Sequence, residues 1–416
     1  MDLEQPPPYR HRTGFDIGAN RTVLALAMAR LGDALGNSML FVVIPLYVAS
    51  LPAPWLPFPD ALQAGILISV YGLITTAVQP LAGAWVDWSD RRKPFILGGL
   101  LLAGIAIVSF VFAQQFRDLL FLRIFQGIGL ALTIPAGMAL LAANTEKATR
   151  GGSMAIYTTA RLVGFGLGPL IGGALHDTLG FNAVFYTAAA FIAIATLLVQ
   201  LWIKERPSRG TTEAHRTFRV FDRTLLSPGI LGAGLAVFAM ASAFSVMTPL
   251  EQEFNERLEQ GAFAFGAAFS VLILTRLLLQ VPFGRLSDRF GRKTVIISGL
   301  MIMAPATALI GEVQTTAQLL GLRAIQGIGS AGIAAPAFAL AADVSTDGNT
   351  GRQMALTTMG FGLGIATGPI MAGGLAIISF RLPFLVAATL LLVAAWTLYR
   401  YVPETLESGT GEGRLQ

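Results

Sequence analysis

The chain contains no cysteine. A disulfide framework is excluded, and thiol usage says nothing about redox compartment. Histidine is scarce as well. His11, His176 and His215 stand far apart in the sequence, so no metal cluster is supported. A phosphate-binding P-loop is missing, which disfavours ATP as the energy source. Charge is thin throughout: 13% of the 416 residues are Asp, Glu, Lys or Arg, against roughly 25% in soluble domains. A soluble fold of this length needs more charge to cover its surface. Intrinsic disorder needs the opposite balance of low hydrophobicity and high charge.

What the chain does have is apolar sequence. Hydrophobic residues make up 54% of it, and mean hydropathy is +0.65. A helix crosses a bilayer with about 20 apolar residues. Apolar runs between polar punctuation predict twelve such helices, near 22–49, 62–83, 94–113, 118–143, 150–176, 181–203, 226–249, 262–283, 294–313, 317–342, 352–378 and 382–402. The expected fold is an all-α integral membrane protein with two six-helix bundles. Residues 1–21 form a tail, 22–203 the first bundle, 204–225 a linker, 226–402 the second bundle and 403–416 a second tail. The opening segment carries Pro6, Pro7 and Pro8 with mixed charges, and does not read as a cleavable signal peptide.

A net charge of +5 fits either nucleic-acid binding or the positive-inside bias of membrane loops. The charge map favours the loops. Of the 29 Lys and Arg, 21 fall on one side of the twelve-span map, and only Arg117, Arg257 and Arg381 fall on the other. Arg30, Arg123, Arg161, Arg276 and Arg323 lie within spans. The asymmetry predicts a multi-pass protein of the cell's inner (plasma) membrane, with both termini and the linker cytoplasmic. The expected surroundings are lipid bilayer, a small-molecule substrate and protons. No nucleic acid and no cofactor are expected, and the chain is taken to be a monomer.

The halves repeat one another. LRIFQGIG at 122–129 returns as LRAIQGIG at 322–329, GAWVDWSDRRK at 83–93 as GRLSDRFGRK at 284–293, and GPLIGG at 168–173 as GPIMAGG at 368–374. Three motifs in the same order, about 200 residues apart, indicate a pseudo-symmetric transporter with its substrate site between the halves near the midplane.

These motifs resemble the major facilitator superfamily, and more narrowly its twelve-span drug:proton antiporters of the multidrug and tetracycline-efflux type. The superfamily's loop motif is matched in the second half by Gly284, Leu286, Asp288, Arg289, Gly291, Arg292 and Lys293. The first-half copy keeps Gly83, Asp87, Arg91 and Arg92 but departs at Trp85, Trp88 and Asp90. Arg123, Gln126 and Gly127 match the Arg-x-x-Gln-Gly motif of the fourth span. Gly164, Gly168, Pro169, Gly172 and Gly173 match the antiporter motif of the fifth, which in that family is typical of exporters. The resemblance implies proton-coupled efflux by alternating access, without enzyme activity. It also implies that the two loop motifs gate the cytoplasmic side, and that Arg123 serves proton coupling.

Other roles follow from the residues. Gly83 and Gly284 allow close helix packing, and Asp87 is spaced i, i+4 from Arg91. Arg292 has an acid partner within reach in Asp343, and Glu146 is the corresponding candidate for Arg91. Asp33 reads as the one acid deep in a span, with Arg30 one turn away. A buried charge is costly and marks a functional site by default, so Asp33 is expected to bind protons or a substrate cation. The alternative is a permanent Arg30–Asp33 pair that only pins helices. Arg161, with Tyr157 one turn away, reads as a cavity residue or as a partner to that pair. Arg276 reads as a cavity residue or as one that snorkels to the cytoplasmic face. Arg323 mirrors Arg123 and is expected to be structural. Phe41, Met39, Tyr71, Phe238, Met240, Phe244 and Met247 are candidates for an adaptable pocket wall. An interior rich in Arg and poor in acid gives weight to anionic, zwitterionic or amphipathic cargo. Two rival functions remain: a metabolite uptake symporter or facilitator, and a nontransporting membrane receptor or scaffold.

Overall fold

A computed structural model of the chain describes residues 20–54, 57–89, 91–145, 149–205, 227–345 and 350–404. In the first half, α1 is Arg21–Ala49, α2 Asp60–Trp88, α3 Lys93–Ser109, α4 Phe116–Ala143, α5 Arg150–Leu179 and α6 Phe181–Trp202. In the second, α7 is Pro228–Ser245, α8 Glu251–Leu258, α9 Ala262–Phe290, α10 Arg292–Ile310, α11 Thr316–Asp343, α12 Thr350–Ala376 and α13 Leu382–Tyr401. Twelve helical segments among the described residues are long and apolar enough to span a membrane. At ~1.5 Å per residue, the 29 residues of α1 exceed the ~30 Å hydrocarbon layer.

The seventh span differs from the expectation. It runs Pro228–Leu258 rather than ending near 249. Pro249, in a tight turn over Thr248–Leu250, lacks the N–H that would continue the helix, so the span bends and resumes as α8. The apolar-run reading stopped at that bend. Glu251, completely buried, therefore belongs to the far-end part of this span, a second buried acid in addition to Asp33. Residues 206–225 of the expected linker lie outside the described residues, as do most of both tails.

Chain direction puts the basic turns at one end of the bundle, called here the basic end; the opposite end is the far end. In the first half α1 packs on α5 and α6, α2 on α4, and α3 on α4 and α6. In the second, α7 packs on α12 and α13, α9 on α11, and α10 on α11 and α13. The halves meet along two seams, α2 against α12 and α5 against α9.

Glycine makes the seams possible. Gly164, Gly168 and Gly172 repeat at intervals of four, which places them on one face of α5. That face meets α1, where a Cβ at Gly172 would stand 2.9 Å from the Met39 carbonyl oxygen. The neighbouring face carries Pro169 and Gly173 to the other half, against Gly266 and Ala262 of α9. The second half repeats the device, with Pro369 and Gly373 of α12 against Gly65 and Ala61 of α2. One glycine-proline motif thus closes both a contact within its half and a seam between halves. These approaches run from the middle of the bundle to the far end. At the basic end they stop: Gly284 has nothing within 4 Å of its Cβ position, and Gly83 meets only Pro135 of its own half.

Candidate functional site

The midplane of the first half holds a continuous polar chain. Arg123, near the start of α4, donates to Gln126 Oε1 at 2.8 Å. Gln126 Nε2 donates to Asn37 Oδ1 at 2.8 Å, and Asn37 Nδ2 donates to Asp33 Oδ1 at 2.7 Å. The other oxygen of Asp33 pairs with Arg30. All five side chains are buried. Helix spacing supplies the links within each element, since Arg123 to Gln126, Asp33 to Asn37 and Arg30 to Asp33 are three- or four-residue steps. Only the Gln126–Asn37 bond crosses between helices. The Arg123 guanidinium also lies 5.3 Å from the centre of the Tyr71 ring and 5.7 Å from that of Phe110.

Behind α1, Arg30, Asp33 and Tyr157 line a cavity of about 20 Å³. That is enough for one water, which needs roughly 10–15 Å³. Tyr157 therefore faces the interior of the first half, against Gly137 of α4. The structure brings Arg30, Asp33, Arg123 and Tyr157 into one cluster. Asn37 was missed in the sequence, although its position one turn from Asp33 was a readable signal.

The second half keeps only part of this arrangement. Arg323 donates to Gln326 at 2.8 Å, and Gln326 donates to Thr307 at 2.8 Å. Gly164 packs against Ala34 and Gly364 against Ala241, which aligns α1 with α7. Under that alignment Asp33 corresponds to Met240, Asn37 to Phe244 and Arg30 to Val237. The acid and its two partners are thus replaced by apolar side chains. Arg323 instead lies 4.4 Å from the centre of the Phe269 ring, and its Nε and Nη2 have no hydrogen-bond partner among the described residues.

Phe244 is buried rather than open to a pocket. It belongs to a row of rings crossing the interface: Phe41 to Phe165 at 5.3 Å, Phe165 to Phe244 at 6.4 Å and Phe244 to Phe269 at 5.5 Å. Met39, Met240 and Met247 are core residues with almost no exposed surface, which removes them from the expected adaptable wall. Arg161 and Arg276 are half-buried on the two sides of the α5–α9 seam.

At the basic end, Arg292 pairs with Asp288, donates to Asp343 Oδ2 at 3.1 Å and donates to Ser287 Oγ at 2.8 Å. The side chain of Asp87 and all of Glu146 lie outside the described residues, and Arg91 is exposed. Two further carboxylates act here. Glu205, just past α6, accepts from the backbone N–H groups of Arg92 and Lys93 at 2.5 and 2.9 Å. Glu404, just past α13, accepts from those of Lys293 and Thr294 at 3.4 Å. Each lies where the positive end of the helix dipole favours an anion. Their spacing of about 200 residues was a signal the motif comparison overlooked.

Two carboxylates at the far end also went unread. Asp177 of α5 accepts from the backbone N–H groups of Ala262 and Phe263 at 3.1 and 2.9 Å. It thereby caps α9 across the interface between halves. Glu251 is buried, and neither of its oxygens has a hydrogen-bond partner among the described residues. Asn255, one turn on, and Asp177 are the polar groups facing it.

Twelve apolar helices packed as two repeated halves that meet along two seams define the class of protein: a polytopic membrane protein built on a pseudo-symmetric pair of helical bundles. A family model described as Major Facilitator Superfamily matches residues 26–278 and 258–415, and the chain belongs to that superfamily. It is similar to the Multidrug resistance protein MdtG of Escherichia coli O9:H4 (strain HS), with 27% identity over 378 residues, covering 87% of this chain and 90% of that protein. The MdtG of Enterobacter lignolyticus (strain SCF1) is 27% identical over 371 residues, covering 86% of each chain. Among solved structures, the fold is similar to a bacterial homolog of the human lysosomal transporter Spinster in an inward-facing, unoccupied conformation. The TM-score is 0.74 with 16% identity, covering 91% of this chain and 95% of that one. The human organic anion transporter MFSD10 (TETRAN) gives a TM-score of 0.67 with 20% identity, covering 91% and 99%. The chain is a transporter and not an enzyme.

Proposed function

We propose that this transporter is a proton-coupled exporter of small amphipathic compounds, working by alternating access as a monomer in the inner (plasma) membrane. The observation that carries the reading is the relay from Arg123 through Gln126 and Asn37 to Asp33 and Arg30. It ties a buried acid to a fixed cation on another helix. A carboxylate held this way changes its hydrogen bonds when it gains a proton, and the relay passes that change from α1 to α4. The similarity to multidrug resistance proteins and the antiporter motif support export. In the proposed orientation the basic end is cytoplasmic, so the observed state opens inward and is sealed outside. Gly83 and Gly284 leave room for the two halves to approach at the basic end in the opposite state; the loop motif of Asp87 and Arg91 and that of Asp288 and Arg292, the latter already braced within its own half by Asp343, are the gate surfaces that then meet. Protons are the driving ion and nucleic acid is not a partner.

The test is Asp33→Asn in purified protein reconstituted into liposomes. Substrate accumulation driven by an imposed pH gradient is expected to vanish, while passive exchange of substrate persists. Full gradient-driven accumulation by the variant would return Asp33 to a purely structural ion pair.

A further inference from the structure

Charge in the middle of the bundle does not balance. Asp33 is already engaged by Arg30 and Asn37. Arg161 on α5 and Arg276 on α9 form no ion pair and no hydrogen bond among the described residues; the acid within electrostatic reach of Arg161 is Asp33, which those two partners already hold. They come from opposite halves and stand within electrostatic reach of each other and, for Arg161, of Arg30. The seam locates them. The α5–α9 contact at this level places Gly166 against Ile273. Arg161 is five residues along α5 toward the basic end from that contact, and Arg276 is three residues along α9 in the same direction. Arg276 Nε is buried without a hydrogen-bond partner among the described residues, and so is Oε1 of Gln280, one turn further on.

Two like charges facing each other in a low-dielectric interior are costly. An arginine retained there without a carboxylate is suited to receive one, because its planar fork binds carboxylates in two-point geometry. Beyond the arginines toward the far end lies the row Phe41, Phe165, Phe244 and Phe269, which joins the two halves; three of its rings are buried and Phe165, one turn from Arg161, is half-buried.

We infer that Arg161 and Arg276 form an anion site bridging the two halves, and that the exporter's cargo is an amphipathic carboxylate. Its headgroup sits between the guanidinium groups, and its apolar body lies against Phe165, the half-buried member of the phenylalanine row. This inference rests on the exporter reading and specifies its substrate class. One arginine belongs to each half, so a bound anion draws the halves together, which a site built within one bundle cannot do.

A charge-matched pair of probes tests it: 4-phenylbutyrate and 4-phenylbutylamine, which share an apolar body and differ in the sign of the head. Binding is measured on the purified full chain in nanodiscs of phosphatidylcholine. The butyrate is expected to bind at least about tenfold more tightly than the amine, a difference of about 1.4 kcal/mol. Arg161→Gln and Arg276→Gln should each weaken the butyrate by about tenfold or more and leave amine binding unchanged or stronger. Arg161→Lys and Arg276→Lys, which keep the charge, should recover part of the loss and guard against misfolding of the neutral variants. Tighter binding of the amine, or butyrate binding indifferent to both arginines, overturns the inference. The same probes are then followed in proteoliposomes under a pH gradient. Arginine-dependent butyrate binding with no gradient-driven movement of either probe leaves the anion site standing and removes the exporter reading. Amine binding with gradient-driven movement does the reverse. Binding of neither probe removes both.

Discussion

Glu251 shows what a single residue does when its surroundings offer little. Its carboxylate is fully buried, faces Asn255 and Asp177, and has no hydrogen bond to either oxygen among the described residues; burying a polar group in that condition costs roughly 1–3 kcal/mol on protein scales. Replacing it with an apolar side chain of similar size removes that cost. Glu251→Met is therefore expected to raise the apparent unfolding temperature of the purified protein, read by intrinsic fluorescence during heating. A lower temperature would mean that the carboxylate holds partners on which the fold relies. Asp33 is the contrasting case: equally buried, but with both oxygens engaged by Arg30 and Asn37. Removing one partner there strands the other, so Asp33→Asn is argued as a functional test rather than a stabilising one. Asp33 could be singled out in the sequence because an acid amid an apolar run is conspicuous. Glu251 could not, because EQEFNER at 251–257 reads as a polar loop until Pro249 is seen to bend the span rather than end it.

At the scale of the helix, the far-end closure combines packing with capping. Pro169 and Gly173 of α5 lie against α9, and Asp177, one turn beyond Gly173, caps the α9 N-terminus through Ala262 and Phe263. An acidic cap of this kind contributes about 0.5–2 kcal/mol. It joins two helices that must separate if the far end is to open. Asp177→Ala is expected to shift the population toward far-end-open states by about fivefold for each ~1 kcal/mol lost. Spin labels on Thr178→Cys and Glu259→Cys, placed in a chain that has no cysteine of its own, would report a longer component in the distance distribution. An unchanged distribution would show that the glycine packing alone holds the seam. The Gly-Pro motif itself was plain in the sequence. Its division of labour was not, since 164, 168 and 172 serve α1 while 169 and 173 serve the other half, and that depends on which helices stand on either side of α5.

For the whole molecule, the orientation proposed from the basic asymmetry has a direct check. A cysteine in place of Arg216, within the linker, should be protected in intact cells from an impermeant thiol reagent and should react after permeabilisation. Labelling in intact cells would invert the topology, and with it the assignment of the observed state as inward-open. Twelve spans, two repeated halves and the loop motifs were legible from the sequence alone, because each is local. A span is a hydrophobic length set by bilayer thickness, and a repeat is a matter of order along the chain. The site was legible only in its conspicuous members, the charges embedded in apolar runs. Three things were decided by the tertiary structure: the Gln126–Asn37 bond that makes three helical steps into one relay, the approach of Arg161 to Arg276 across the seam, and the capping of α9 at the far end by Asp177. Each joins residues dozens to more than a hundred positions apart. No propensity or periodicity encodes such a pairing; the packing of one helix on another brings the groups within a hydrogen bond or an electrostatic field of each other.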